Sequence, residues 1–394
     1  MSSFSFGQRL SLDACTACGQ CVDVCPAVAA TQDGNLSALL RMKGLKEILR
    51  RRGAASRFFR KLPWWKEPSA QDMLDFGTSS FRCSLCGSCQ EICPVGLRLK
   101  ELWLSLREDL VRTGNSPAKI AMIRDNLDNS HNVFDEDNDE RADWVDDMRN
   151  PPDDPLKKNA EVVFFTGCVG AYFPLAQKIP QALLGILEAG EVDYTLLGKD
   201  EWCCGFPLLS AGLPDGLEPI VEHNAAAVRA RKAGKVVFTC PSCYQIWRES
   251  YPQEFELFHA AEFVAAMLRD GRIRLTKTPY TKVTYHDPCD LGRGARVFDA
   301  PREVLSLIPG LTLTEMEHNR EHGLCCGGGG NLEMIDPDLS TGMARQKVQE
   351  ALSTGAQAIV TTCQQCVRTM TTYARRSKVN IDVLDLSQLV EKAL

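Results

Sequence analysis

Residues 161–168 read EVVFFTGC, and residues 282–289 read KVTYHDPC. Each is a short apolar, β-rich run that stops at a cysteine. Working outward, EWCCGFP (201–207) is answered by GLCCGGGG (323–330), and GKVVFTCPSC (234–243) by AQAIVTTCQQC (356–366). The offset is 121 residues at Cys168/Cys289, 122 at Cys203/Cys325 and 123 at Cys240/Cys363. The C-terminal two-thirds is therefore one module written twice. Each copy carries a lone cysteine, an adjacent pair and a CxxC: Cys168, Cys203, Cys204, Cys240 and Cys243, then Cys289, Cys325, Cys326, Cys363 and Cys366.

The spacing predicts strands at Val162–Phe165, Val236–Thr239, Val283–Tyr285 and Ile359–Thr361, each ending just before a cysteine. Helical patterns lie between them at Pro174–Ala189, Leu217–Ala233 and Asp338–Leu352. Strand–helix alternation argues a parallel α/β sheet, in which ligands gather at the carboxyl ends of strands. Gly205 and Gly327 to Gly330 follow the pairs, where the backbone must turn tightly or approach a bulky group. Five thiolates are one too many for tetrahedral zinc. A vicinal disulfide would leave three cysteines per copy unexplained. Spacing alone says metal–sulfur site without naming the group.

The N-terminal third carries a second duplication. Cys15, Cys18, Cys21 and Cys25-Pro26 form CxxCxxCxxxCP, and Cys83, Cys86, Cys89 and Cys93-Pro94 form it again. Three closely spaced thiolates cap three irons of a cubane, and the fourth cysteine reaches the other cluster. The expected ligand sets are Cys15, Cys18, Cys21 and Cys93 for one cubane, and Cys83, Cys86, Cys89 and Cys25 for the other. Two zinc sites would explain neither the third cysteine nor the Cys-Pro. Leu36, Leu39, Leu40, Met42, Leu45, Ile48 and Leu49 in the 57-residue spacer recur at helical intervals. So do Leu97, Leu99, Leu102, Leu104, Leu106 and Leu110. An α-helical ferredoxin domain is expected, similar to that of succinate dehydrogenase iron–sulfur subunits.

The net charge of −6 hides an asymmetry: +7 over residues 1–124, −8 over 125–160 and −5 over the rest. No dominant basic patch of the nucleic-acid-binding kind is present. The acidic block with its Asn-Pro-Pro-Asp-Asp-Pro ending reads as a solvated linker. The stretch Arg41–Lys66, with Arg50, Arg51, Arg52, Arg57, Phe58, Phe59, Arg60, Lys61, Trp64 and Trp65, reads either as a packed helix with a basic face or as a docking surface. No apolar run is long enough for a membrane span, and the N-terminus lacks a signal-peptide core. A cytoplasmic chain is expected, peripheral to a membrane at most through a partner.

The two five-cysteine spacings resemble the twin CCG, or cysteine-rich, domains of heterodisulfide reductases. Joined behind an eight-cysteine ferredoxin domain, the pattern resembles the D-type polypeptide of heterodisulfide reductases. It is similar also to the iron–sulfur subunits of glycolate oxidase, lactate utilisation and anaerobic glycerol-3-phosphate dehydrogenase. The resemblance implies an α+β multidomain chain: an α-helical ferredoxin domain (1–124), an acidic linker (125–160) and two Rossmann-like α/β CCG domains (161–280 and 281–394). It further implies a noncubane four-iron cluster on each five-cysteine set, beside the two cubane 4Fe-4S clusters. His286 and Asp287 before Cys289, and His322 before Cys325, are read as packing residues or as donors beside a cluster.

No GxGxxG follows a strand, so flavin or nicotinamide chemistry is expected on another polypeptide. The expected function is electron transfer within an oxidoreductase complex, with a flavin-containing subunit or ferredoxin-type donor as partner. The alternative is catalytic cleavage of a disulfide between paired noncubane clusters.

Overall fold

The apolar run at 162–165 forms strand β1 (Val162–Phe165) in the computed structural model, which describes residues 4–52 and 65–394. All four of its residues are buried, as in a strand covered on both faces. Val162 and Phe164 enter one core with Leu183, Ile186 and Leu187. Val163 and Phe165 enter another with Val236, Phe238 and Trp247. Alternate residues of one strand thus feed two layers of helices.

Strands β2 (Tyr194–Leu196), β3 (Lys235–Phe238) and β4 (Glu256–His259) complete a parallel sheet in the order β2-β1-β3-β4. Strands β5 (Lys282–His286), β6 (Thr312–Leu313), β7 (Ala358–Thr361) and β8 (Asp382–Asp385) repeat it as β6-β5-β7-β8. Phe164 pairs with Val237 in the first sheet, and Tyr285 with Val360 in the second. The central strands lie where the sequence predicts them. The outer ones escape sequence reading because they are two to four residues long and, at β4, β6 and β8, start on the exposed polar residues Glu256, Thr312 and Asp382. The predicted helices appear as Lys178–Ala189, Leu217–Ala230 and Pro337–Ser353. Helix Lys178–Ala189 packs on Leu386–Glu391, and Ala260–Arg269 on Asp299–Ser306. One continuous apolar core therefore joins the two sheets.

Before Val162 the described residues contain helices and no strand. Helix Ala38–Arg52 buries Met42, Leu45 and Ile48, and helix Leu99–Arg112 buries Leu99, Leu102, Leu106 and Leu110. These are the leucine-rich faces the periodicity predicts. In the basic stretch, Arg41 is buried against the Leu36 carbonyl and the Trp103 ring, while Arg50 and Arg51 pair with Glu47. Arg57, Phe58, Phe59, Arg60, Lys61 and Trp64 lie outside the described residues. No described helix is long and apolar enough to cross a membrane.

The acidic residues of segment 125–160 are exposed, as its charge leads one to expect, but the segment is packed rather than a free linker. It shares helix Ala121–Ser130, and it buries Trp144, Val145 and Arg141. Trp144 donates its ring N–H to the Arg141 carbonyl, and Gln181 donates to the carbonyl of Trp144. A few apolar and cationic residues within the acidic run decide its packing, and net charge conceals them.

The repeat extends to helix caps. His259 ends β4 and caps Ala260–Arg269, and Asp385 ends β8 and caps Leu386–Glu391. Burial pushes the Asp385 carboxyl up from 3.8 to about 7. The folded chain then holds a proton that the unfolded chain releases between these values, so stability falls as pH rises through that window. Asp385→Asn keeps the cap and removes the titration. It is expected to be more stable than the native chain by about 2–4 kcal/mol above pH 7, the gap closing towards pH 4. Anaerobic unfolding at pH 5 and pH 8 checks this.

Candidate metal centres

The two CxxCxxCxxxCP motifs fold alike. Ala17 and Leu85 have φ of 56°, and Gly19 and Gly87 have φ of 91° and 79°. These left-handed residues curl the chain so that successive cysteines face inward. A single helical turn follows in each, Gln20–Asp23 and Ser88–Glu91. Pro26 then opens helix Pro26–Thr31, where a missing N–H costs nothing.

The fold brings Cys15, Cys18, Cys21 and Cys93 around one cavity of about 30 Å³, walled by Met42, Leu97 and Leu99. It brings Cys25, Cys83, Cys86 and Cys89 around a second of about 30 Å³, beside Arg41 and Trp103. Each cavity thus takes three thiols from one motif and the fourth from the other. Burial first, and then the charges of Cys83 and Cys86, push the Cys25 thiol up to about 11. Four thiolates crowd there only around a cationic core, so the donor set suits a metal–sulfur group. Cys18 is exposed, which sets the first cavity at the surface.

All five cysteines of the first CCG-type set line one cavity of about 520 Å³. Cys168 opens a short helix after β1, Cys203 and Cys204 precede the left-handed Gly205, and Cys240 and Cys243 start the helix after β3. They sit at the carboxyl ends of the strands, where the parallel-sheet argument puts a site. The cavity is far larger than the other two and reaches Glu333, Gln365, Arg368 and Thr369 of the second unit. None of the second set's cysteines lines it.

The second set is buried to the same degree as the first, in which Cys240 alone is half-buried. Cys325, Cys326, Cys363 and Cys366 are buried, and Cys289 is half-buried. The Cys326 and Cys366 sulfurs are 3.2 Å apart. Backbone N–H groups of Gly327, Gly328 and Cys366 donate to Cys325, Cys326 and Cys363 at 3.4–3.5 Å. The ligating atoms of His286, Cys326 and Cys366 lie within 4.8 Å of one another. Burial lowers the His286 pKa, which keeps the imidazole neutral. Asp287 instead takes a bidentate pair from Arg302 and the Arg320 N–H. His322 is exposed, its Nε2 3.9 Å from Glu321 Oε1.

The second motif and the second set adjoin. Ser84 Oγ is 3.5 Å from Cys325 Sγ, and Cys325 lies close enough to the Cys86 thiol to hold its pKa well below the ordinary thiol value. Arg293 spans the junction, donating to the carbonyls of Cys86 at 2.7 Å and Gly323 at 2.7 Å. A Cβ on Gly330 would lie 2.7–2.9 Å from the Cys83–Ser84 backbone. That close approach accounts for the last glycine of the run. Gln364, between Cys363 and Cys366, donates to the Thr166 carbonyl and to Thr239 Oγ1, tying the second set to the ends of β1 and β3.

Two arginines escaped the sequence reading. Arg107 is fully buried and donates to carbonyls of Cys83, Ser210 and Gly330. Arg141, from the acidic run, pairs with the buried Glu201 at 2.8 Å and reaches Cys168 Sγ at 3.6 Å. Neither stands in a cysteine motif or at a periodic position, so no local pattern marks them.

Residues 162–246 and 283–371 each match the cysteine-rich domain family, CCG, and residues 11–97 match the 4Fe-4S dicluster domain family. The chain is similar to the D-type polypeptide of the dihydromethanophenazine:CoB–CoM heterodisulfide reductase of Methanosarcina mazei. The two are 34% identical over 98% of this chain and 95% of that one. It is also similar to the probable iron-sulfur-binding oxidoreductase FadF of Bacillus subtilis, at 27% identity over 100% of this chain and 61% of the relative. EtfAB:quinone oxidoreductase of Syntrophomonas wolfei is 25% identical over 100% of this chain and 60% of the relative.

Proposed function

The chain belongs to the family of D-type heterodisulfide reductase polypeptides, which are iron–sulfur oxidoreductase proteins, and on that premise we propose that it is the electron-transfer subunit of a larger complex. Cys15, Cys18, Cys21 and Cys93 bind one cubane 4Fe-4S cluster, and Cys83, Cys86, Cys89 and Cys25 bind the other. Each five-cysteine set binds a noncubane four-iron cluster. The units are 1–124, 161–280 and 281–394, with 125–160 joining the first to the second. Clusters held in this way supply one-electron chemistry.

The observation that carries this reading is the junction of Ser84 and Cys86 with Cys325. It supports an order of sites running from the exposed Cys18 edge, through the second cavity, to the second set and then, across Gln364, to the first. Partners exchange electrons at the Cys18 edge, and a flavin-containing subunit or a ferredoxin-type protein suits that role. The location is cytoplasmic, with any membrane contact made through a partner.

A second reading draws support from the cavity of about 520 Å³ on the first set. It runs from the first set to Glu333, Gln365 and Arg368 of the second unit, the side from which a disulfide cleaved between the two sets would enter.

The test is iron and acid-labile sulfide per chain after anaerobic purification, with Mössbauer and EPR spectra. About sixteen irons with non-cubic sites are expected. About eight irons, all cubane, would refute the assignment of the five-cysteine sets. Reduction of small disulfides by the isolated chain with an artificial donor would favour the second reading.

A further inference from the structure

Arg141 is only 2% exposed, and every nitrogen of its guanidinium is engaged. Nε and Nη2 donate to Glu201 Oε1 at 3.1 and 2.8 Å, and Nη1 donates to Asn138 Oδ1 at 3.2 Å. Nη2 also reaches Cys168 Sγ at 3.6 Å. The guanidinium lies 5.5 Å from the Tyr172 ring centroid. Glu201 is held in turn by the N–H groups of Thr166 and Gly167, both at 2.8 Å, at the end of β1. The carboxylate thus fixes the guanidinium and offsets its charge, and one N–H stays aimed at sulfur. The repeat does not reproduce the device. Gly323 stands where the 122-residue offset places Glu201, and segment 125–160 precedes only the first unit.

We propose that Arg141, positioned by Glu201, raises the reduction potential of the centre held by the first five-cysteine set by donating to Cys168 Sγ. The inference rests on the assignment of a cluster to that set. The electron gained there is one lost by the second set, and no bond forms or breaks. An added electron increases negative charge on the ligand sulfurs, and a fixed, desolvated N–H donor stabilises that state. Arg141 is a positioning residue: it acts through Cys168 and touches no substrate.

The test is an EPR-monitored redox titration of the anaerobically purified full chain. The Cys204→Ser variant identifies the first-set signal. The double variant Arg141→Gln/Glu201→Gln leaves no unpaired buried charge and keeps one amide oxygen as acceptor for Thr166 or Gly167. At the native midpoint its reduced-to-oxidised ratio at the first set is expected to fall about tenfold, which is about 59 mV for a one-electron couple. The other signals and the iron content stay unchanged, and Arg141→Lys recovers part of the shift. An unmoved ratio at full iron content overturns the role of Arg141. Should the double variant lose the centre, pulsed EPR of native protein carrying guanidino-¹⁵N arginine decides. A nitrogen coupling on the first-set signal supports the contact, and its absence overturns it. About eight irons in the native chain would overturn the cluster assignment and this role together.

Discussion

Cys25→Ala is expected to eliminate the cubane of the second motif and leave that of the first. Cys25 lies ten residues after Cys15, yet the fold places it with Cys83, Cys86 and Cys89. A cubane left with three thiolates loses an iron ligand that the apolar wall cannot replace. About four irons per chain are expected to go, with one EPR signal. Cys93→Ala is expected to do the reverse, emptying the Cys15, Cys18 and Cys21 site. The functional losses differ in kind. Cys25→Ala breaks the line next to Cys325 and isolates both five-cysteine sets, so an external donor reduces only the surface cubane. Cys93→Ala removes the entry point itself. EPR and iron analysis of the two variants check the pairing. A Cys25→Ala chain that lost the first-motif signal would mean that each motif binds its own cluster, against the geometry.

Arg107→Met is expected to be the most damaging substitution away from the cysteines. The guanidinium joins the three units: its Nη1 donates to Ser210 at 2.6 Å and Gly330 at 2.9 Å, and its Nη2 to Cys83 at 2.6 Å. Ser80 and Phe81 carbonyls lie at 3.4 and 3.3 Å. Burial pushes its pKa down only to about 10, so it stays charged at neutral pH. Methionine fills the stem but leaves these buried carbonyls without donors, at about 1–3 kcal/mol for each strong bond lost. A net loss of about 3–5 kcal/mol is expected, as for breaking a buried charged network. Lysine does not restore it, because one ammonium cannot reach carbonyls spread around a planar fork. Anaerobic denaturant unfolding measures the loss. Arg98→Gln, at an exposed pair with Glu101, serves as control and is expected to stay within about 0.5 kcal/mol. The neighbouring packing is equally tight: a Cβ on Gly212 would lie 2.5 Å from the Arg107 backbone.

The legible part of this protein is the part whose chemistry is local. Cysteine spacing is legible because a cluster needs several thiols on one tight loop, and the left-handed Gly19 and Gly87 are the cost of that curl. The central strands are legible because burial on both faces demands a continuous apolar run, as at Val162–Phe165. The duplication shows for the same reasons, twice over.

Tertiary structure alone decided how the pieces meet. The outer strands β2, β4, β6 and β8 gain their place from pairing with a neighbour, and sequences such as Asp382–Asp385 carry no strand signal of their own. The acidic run 125–160 keeps its carboxylates in solvent, as charge count suggests, but Trp144 and Arg141 anchor it to the first unit. That Ser84 adjoins Cys325 across 241 residues, or that Arg107 reaches Gly330 across 223, is written in no motif. Such contacts depend on packing between distant segments. Local sequence fixes what each segment can bind, and the shared core between units fixes which bound groups stand side by side.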